Sequence, residues 1–172
     1  MKKTDKIIIT DNFFDLSMFE KIKHHVTTKL LFTPRYLENS VEKNKNSYYG
    51  ARFVLKNDPS LLDIFIQQTN KKFNIKIKEV ADDSGVDIRN LDHFVPHTDD
   101  KLGKINLLIM INGPTAVTNG TVFYTDNELD MHIGFRENRA VLFPSNKVHS
   151  PHTSNIPNLI RHTASLFIKE FE

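Results

Sequence analysis

The second half of the chain is a series of short apolar segments separated by Gly, Pro, Asn and Asp, and this pattern constrains the fold more than any other feature. β-Branched residues are frequent in these segments, as is typical of strands. Seven segments are predicted strands: 75–80, 86–91, 105–111, 121–124, 132–135, 140–143 and 162–168. Short strands with turn residues between them are typical of a β-sandwich or jelly roll.

The first part of the chain has a helical pattern instead. Residues 16–31 place apolar side chains at spacings of three and four, which lines one face of a helix, namely Leu16, Phe19, Ile22, Val26 and Leu30. A second helix opens at Asp58-Pro59-Ser60, where proline suits the first turn. Strands are predicted at 7–10 and 48–55, and the polar stretch 37–47 is predicted to be an exposed loop.

No repeat and no low-complexity linker interrupts the chain. We therefore predict a single domain over residues 1–172, mainly β with flanking helices. In this arrangement residues 1–73 supply a strand and helices that pack on one sheet, and residues 74–172 form the jelly-roll core.

Composition excludes several kinds of chemistry. There is no Cys, which rules out disulfides, thiolate metal sites and a Cys nucleophile, whereas eight His leave metal binding open. The 23 Lys and Arg against 21 Asp and Glu, a net charge of +2, give no indication of nucleic acid as a partner. The apolar runs at 7–9 and 107–111 are too short for a signal peptide or a membrane span, so we expect a cytoplasmic protein.

His97-Thr98-Asp99 is the first candidate site, at the end of an apolar stretch that contains Val95-Pro96. Residues two apart on an extended chain point to the same side, so His97 and Asp99 could offer a nitrogen and an oxygen to one metal ion. Taken alone, such a triplet more commonly belongs to a polar loop.

A third ligand is expected from the segment that follows the predicted strand 140–143. His149 lies 50 residues after Asp99 (149 − 99), far enough for a jelly roll to fold back, and His152 is an alternative. Each could instead be a surface-loop histidine. Two His and one carboxylate on one side of a metal, with open positions opposite, form the facial arrangement of non-haem Fe(II) oxygenases.

The last predicted strand carries a candidate anion site. Arg161, Thr163 and Ser165 alternate along it and share one face. A guanidinium can hold a carboxylate through two parallel hydrogen bonds, which an ammonium group cannot do. A cross-strand ion pair is the alternative interpretation of Arg161.

In this combination and order the sequence resembles the Fe(II)- and 2-oxoglutarate-dependent oxygenases, with the prolyl 4-hydroxylase-like branch nearest. The residues that carry the resemblance are 95–99, 105–112, 119–124, 139–145 with His149, and 161–168, and the opening 7–14 is also similar. The resemblance implies a double-stranded β-helix, which is a cupin-like jelly roll.

The resemblance also implies roles for individual residues. His97, Asp99 and His149 match the iron ligands, and Arg161 matches the residue that holds the distal carboxylate of 2-oxoglutarate. Under this interpretation Thr163 or Ser165 assists Arg161, and Asn106 hydrogen-bonds the co-substrate. Met110 stands where the family often has Tyr, and Asn119-Gly120 stands where it commonly has paired glycines.

The implied activity is hydroxylation of a C–H bond with O2, coupled to decarboxylation of 2-oxoglutarate to succinate. Two substrate classes stay open: a prolyl or other residue in a protein or peptide, and a free amino acid or other small molecule. A non-catalytic jelly roll that binds a metal or a sugar is the alternative of a different class.

Overall fold

The computed structural model describes residues 6–37, 47–89, 95–116, 119–152 and 160–172. Its helices are α1 (Leu16–Thr28) and α2 (Pro59–Phe73), with a 3₁₀ turn at Leu55–Asn57 before α2. Its strands are β1 (Ile8–Thr10), β2 (Thr33–Leu37), β3 (Ser47–Val54), β4 (Ile77–Val80), β5 (Gly85–Arg89), β6 (Ile105–Asn112), β7 (Gly120–Thr125), β8 (Glu128–Gly134), β9 (Arg139–Pro144), β10 (His149–His152) and β11 (Arg161–Phe171).

Two antiparallel sheets account for all the strands of the described residues. The larger sheet has the order β1-β9-β6-β11-β5-β3-β2, and β4 pairs with the far end of β11. The smaller sheet has the order β10-β7-β8. This mainly β architecture with two helices confirms the predicted jelly-roll fold class.

Strand β6 shows how the sequence divides the interior into two layers. Ile105, Leu107, Ile109 and Ile111 alternate along it and are buried in one apolar cluster with both helices. The other face carries Met110, which packs in a second cluster with side chains of the smaller sheet. Strand alternation therefore places the helices on one side of the larger sheet and the smaller sheet on the other.

Helix α1 follows its predicted apolar face but is shorter than predicted. The Asp15 carboxylate caps its start by accepting a hydrogen bond from the Met18 N–H at 2.9 Å. Leu16, in the first turn, is 73% exposed rather than buried. The helix ends at Thr28 instead of residue 31. Its last two residues, Thr27 and Thr28, are β-branched, and their hydroxyls donate hydrogen bonds to carbonyls one turn earlier.

Strands β2 and β10 were not predicted, and both lie at the edge of a sheet. Each contains a proline, Pro34 in β2 and Pro151 in β10. Proline is tolerated at an edge, where its missing N–H costs no ladder bond, but in the sequence it argues against a strand. The proline in each segment is therefore the reason that neither strand was predicted, and the edge position is the reason that each strand forms despite its proline.

The other predicted boundaries differ by a few residues. Strand β8 begins at Glu128 rather than 132, because Asp126 and Asn127 have φ values of 52° and 65° and form a tight two-residue turn. Residues 38–46 of the predicted exposed loop and residues 90–91 of the predicted strand 86–91 lie outside the described residues. None of the described helices is long and apolar enough to cross a membrane.

Candidate metal centre and anion pocket

A pair of backbone hydrogen bonds brings two distant histidines side by side. The His97 N–H donates to the His149 carbonyl at 3.0 Å, and the His149 N–H donates to the His97 carbonyl at 2.9 Å. The two imidazole rings have centroids 4.5 Å apart. Residues separated by 52 positions (149 − 97) thus meet at the start of β10.

Asp99 completes the cluster from the loop that follows His97. Its N–H donates to the Ser145 carbonyl at 2.8 Å. Its Oδ1 lies 3.8 Å from the His97 Nε2, and its Oδ2 lies 3.2 Å from the His149 Nε2. One ligand atom from each of the three residues lies within 4.8 Å of the others, which is close enough for a shared metal ion.

The carbonyl oxygens beside both imidazoles suit metal binding. The His97 Nδ1 lies 3.0 Å from the Val95 carbonyl oxygen, and the His149 Nδ1 lies 3.0 Å from the Lys147 carbonyl oxygen. A carbonyl oxygen only accepts, so a ring that donates from Nδ1 to its carbonyl presents the lone pair of Nε2 to a metal ion. This arrangement fixes the orientation of a metal-binding histidine.

The electrostatics of the cluster act in the same direction. Burial, together with the neighbouring His149, lowers the pKa of His97. Burial acts to raise the pKa of Asp99, but its contacts with His149, His97 and Asn106 outweigh that effect and lower it. A neutral imidazole and an ionised carboxylate are the forms that bind a metal ion.

The donor set fits ferrous iron. Two imidazole nitrogens and one carboxylate oxygen, with no sulfur, are the ligands of the facial Fe(II) site. In the part of the chain that the structure describes, this is the single group of three such residues. His152 lies outside it, and its ring faces His132 at a centroid distance of 5.1 Å.

Asn106 contacts a metal-binding candidate directly. Its Nδ2 donates to the Asp99 Oδ2 at 2.6 Å. Its Oδ1 is buried and has no hydrogen-bond partner within the described ranges. The predicted contact of Asn106 with the co-substrate stays a prediction, and its hydrogen bond to the carboxylate was not expected from the sequence.

Strand β11 contributes the three residues of the candidate anion site to the same cavity, which has a volume of about 190 Å³. Arg161, Thr163 and Ser165 are all buried and line this cavity, together with His97, Asp99 and His149. The opposite face of β11 places Ala164, Leu166 and Ile168 in the helix-side core. The predicted two-residue alternation of this strand is therefore observed.

Arg161 is held by oxygen atoms on the rim of the cavity. Its terminal NH1 donates to the Asn119 Oδ1 at 2.8 Å and to the carbonyls of Gly120 and His152 at 2.7 and 3.3 Å. Its Nε is buried without a hydrogen-bond partner among the described residues. Burial and the charge of Arg89 lower the pKa of Arg161 to about 10, so it remains a cation at neutral pH.

Four arginines line the cavity, and two of them, Arg35 and Arg89, were not expected there from the sequence. Arg35 comes from β2 and Arg89 from β5. Arg89 lies in a predicted strand, and alternation places it on the face of Asp87, but nothing in the sequence shows that this face meets the metal ligands. Arg35 depends on a strand that was not predicted.

Solved structures similar to this chain are Fe(II)- and 2-oxoglutarate-dependent oxygenases, and the chain shares their fold. No family model and no curated protein matches the sequence. A prolyl hydroxylase from Trichoplax adhaerens, solved with a peptide fragment of the hypoxia inducible factor oxygen degradation domain, is 16% identical with a TM-score of 0.61, over 96% of this chain and 84% of that one.

Two other structures extend the comparison. A Pseudomonas putida prolyl-4-hydroxylase is 10% identical with a TM-score of 0.60, over 96% of this chain and 94% of that one. The epimerase SnoN, solved with Fe³⁺, α-ketoglutarate and nogalamycin RO, is 7% identical with a TM-score of 0.63, over 97% of this chain and 80% of that one.

Proposed function

We propose that the protein is an oxygenase that uses Fe(II) and 2-oxoglutarate to hydroxylate a C–H bond. The observation that carries this proposal is one cavity that contains both the His97, Asp99 and His149 cluster and the buried Arg161. A domain that only binds a metal has no need of a buried guanidinium beside it. This argues against the alternative of a non-catalytic metal- or sugar-binding jelly roll.

The predicted site residues other than Asn106 each have a role in this proposal. His97 and His149 would bind the iron through Nε2 and Asp99 through its carboxylate, while Arg161, assisted by Thr163 or Ser165, would hold the distal carboxylate of 2-oxoglutarate. Iron and 2-oxoglutarate, when bound, supply the oxidation that converts O2, 2-oxoglutarate and a C–H bond to succinate, CO2 and a hydroxyl group. The protein orients these groups.

The surroundings of the cluster support a shielded reaction. Leu108, Phe143 and Phe167 line the cavity with apolar surface, which limits the access of bulk water to the ligand atoms. The oxygen atoms of Asn119 and Gly120 fix the position of the Arg161 guanidinium before any co-substrate arrives. Both features favour catalysis by positioning.

For the substrate we propose a prolyl-hydroxylase-like reaction on a peptide or protein. The similarity to a prolyl hydroxylase solved with a peptide fragment supports this class. The similarity to SnoN solved with nogalamycin RO supports the second candidate, a small molecule.

We also propose one domain over residues 1–172, since the helix-side cluster joins Phe19 and Leu61 to Leu107 and Ile168.

Succinate formation from 2-oxoglutarate, with Fe(II) content measured in parallel, tests the proposal. We expect His97→Ala and Asp99→Ala to abolish both succinate formation and stoichiometric iron. His149→Ala is expected to do the same, while the matched control His152→Ala keeps its iron. Iron retained in His149→Ala and lost in His152→Ala would contradict the ligand assignment.

Arg161→Ala tests the co-substrate site separately. It is expected to raise the concentration of 2-oxoglutarate needed for half-maximal turnover by about tenfold or more, because a charge-assisted hydrogen bond is lost. Iron content should stay that of the wild type. An unchanged 2-oxoglutarate requirement removes Arg161 from this role.

A further inference from the structure

One end of the Arg161 guanidinium is fully used by the protein. Its NH1 meets the Asn119 Oδ1 at 2.8 Å and the Gly120 carbonyl at 2.7 Å, and the His152 carbonyl lies 3.3 Å away. NH1 carries two hydrogens, and two hydrogens shared among three acceptors leave none for a ligand. An anion bound by Arg161 must therefore use the other two nitrogens.

The other end of the guanidinium lacks partners. Within the described part of the chain, the hydrogen bonds of Arg161 all come from NH1, and its Nε is buried without one. The residue is only 3% exposed and lines the cavity. Leaving a buried charged donor unpaired is costly, so the Nε and NH2 end is the part of this side chain that is suited to a ligand.

The free nitrogens have the geometry of a carboxylate site. Nε and NH2 form one edge of the planar guanidinium, on the side opposite NH1. The two parallel N–H bonds of this edge match the two oxygens of a carboxylate. Because the smaller sheet holds NH1, the orientation of the free edge is set by the protein.

Asn119 is the side chain that holds NH1, and it is itself anchored. It is fully buried, and its Nδ2 donates to the Pro114 carbonyl at 2.8 Å. A carbonyl only accepts and a guanidinium only donates, so a single orientation of the amide satisfies both of its ends. The backbone of Asn119 is held as well, by the Ala116 carbonyl at 3.0 Å and the Phe135 N–H at 2.7 Å.

The neighbouring strand offers no substitute donor. Met110 on β6 is directly opposite Thr163 on β11. Its thioether cannot donate, and its sulfur accepts a hydrogen bond from the Arg136 N–H at 3.3 Å. A carboxylate beside Thr163 would therefore depend on the free edge of Arg161 and on the hydroxyls of β11.

We propose that Asn119 is a positioning residue that reserves NH1 for the protein, so that Arg161 takes the distal carboxylate of 2-oxoglutarate through its Nε and NH2 edge. This assignment rests on the proposed function, in which Arg161 binds that carboxylate. The guanidinium is ordered before the ligand arrives, which lowers the entropic cost of binding. Asn119 thereby contributes to the preference for 2-oxo acids with a carboxylate at the far end.

Heteronuclear NMR of the wild type tests which edge is used. The protein is loaded with Zn(II), a diamagnetic substitute for Fe(II), and the guanidinium signals of Arg161 are assigned by their loss in Arg161→Lys. We expect 2-oxoglutarate to shift the Nε and NH2 signals and to leave NH1 nearly unchanged. The probe 2-oxopentanoate, which has a methyl group in place of the distal carboxylate, should shift none of them. A shift that is largest at NH1 overturns the proposal.

Calorimetric titration of the Fe(II)-loaded protein without oxygen measures what Asn119 contributes. The wild type is expected to bind 2-oxoglutarate about tenfold or more tightly than 2-oxopentanoate. Asn119→Ala should lower this ratio by about threefold or more, because residues in one hydrogen-bond network are energetically coupled. Its affinity for 2-oxopentanoate should stay that of the wild type, which general damage to the site would not allow.

Asn57→Ala is the matched control for this substitution. It removes the same amide from an exposed position in the 3₁₀ turn, outside the cavity lining, and should leave the ratio unchanged. A ratio in Asn119→Ala that equals or exceeds that of the wild type overturns the role of Asn119.

Two further measurements keep the outcomes separate. If Asn119→Ala does not fold, Arg161→Lys keeps the charge but not the paired donors, and a retained preference for 2-oxoglutarate contradicts the use of the edge. If the wild type binds no 2-oxoglutarate, the proposed function fails. Hydrogen exchange at NH1 in the metal-free protein still decides whether Asn119 holds Arg161, since exchange should be faster in Asn119→Ala and equal rates would refute the contact.

Discussion

The hydrogen bond from Asn106 to Asp99 leads to a specific prediction about the affinity of the candidate metal centre for Fe(II). Asn106→Ala removes a 2.6 Å bond to the Asp99 Oδ2, an oxygen that also lies 3.2 Å from the His149 Nε2. Asp99 is only 8% exposed, so water cannot readily replace the lost donor. The carboxylate then becomes free to rotate away from the two imidazoles.

The expected loss follows from two independent magnitudes. A hydrogen bond to a charged group contributes about 1.5–3 kcal/mol. Loss of a group that orients a metal ligand typically weakens metal binding by about 10–100-fold, which is about 1.4–2.8 kcal/mol. We therefore expect Asn106→Ala to weaken Fe(II) binding by about tenfold to a hundredfold at neutral pH.

Competition of the protein with a chelator for Fe(II) under anaerobic conditions measures this change. Asn112→Ala is the matched control, since Asn112 is on the same strand and its side chain contacts the His162 ring at 3.2 Å rather than Asp99. We expect the control to bind iron as the wild type does. A folded Asn106→Ala protein with wild-type iron affinity would refute the idea that Asn106 orients the carboxylate.

Three other predictions concern stability and pH. Asp11→Asn should lower the free energy of unfolding by about 1 kcal/mol at pH 7, because Asp11 accepts bonds from Arg139 at 2.6 and 2.9 Å. These bonds lower the pKa of Asp11, so in urea unfolding series the difference from the wild type should shrink as the pH falls below 3.8, and a constant difference would contradict this. Asn138→Ala should cost about 2–3 kcal/mol in denaturant unfolding, since its buried amide exchanges two hydrogen bonds with the Phe14 backbone, and an unchanged midpoint would disprove that role. Metal binding should persist at pH 6.5 and weaken at lower pH, because burial lowers the pKa of His97 below 6.5 and the proton competes with the metal. Competition with a chelator measures the affinity, and a loss that already begins above pH 6.5 would be inconsistent with this prediction.

Local patterns were sufficient for the parts of the fold that one strand or helix determines. The alternation along β11 placed Arg161, Thr163 and Ser165 on one face, and the Asp58-Pro59-Ser60 signal marked the start of α2. These features depend on backbone periodicity and capping, which neighbouring residues control. They are therefore visible in the sequence.

Features that depend on pairing between distant segments were not predictable in the same way. His149 and His152 both follow Pro144, and no local signal chooses between them. The choice comes from the register in which His149 pairs with His97, while His152 pairs with Gly120. Arg35 is similar, because its place at the cavity depends on the pairing of β2 with β3.

The backbone bridge between His97 and His149 has a consequence for how the candidate site would take up a metal ion. The amide and carbonyl groups of the two residues hold each other, so the imidazole spacing is a property of the folded polypeptide and does not depend on the ion. Binding of an ion would therefore cost little further conformational entropy, because the two residues are already ordered. Stripping the protein with a chelator would then leave a preassembled apoprotein, which reloads with ferrous iron without a refolding step.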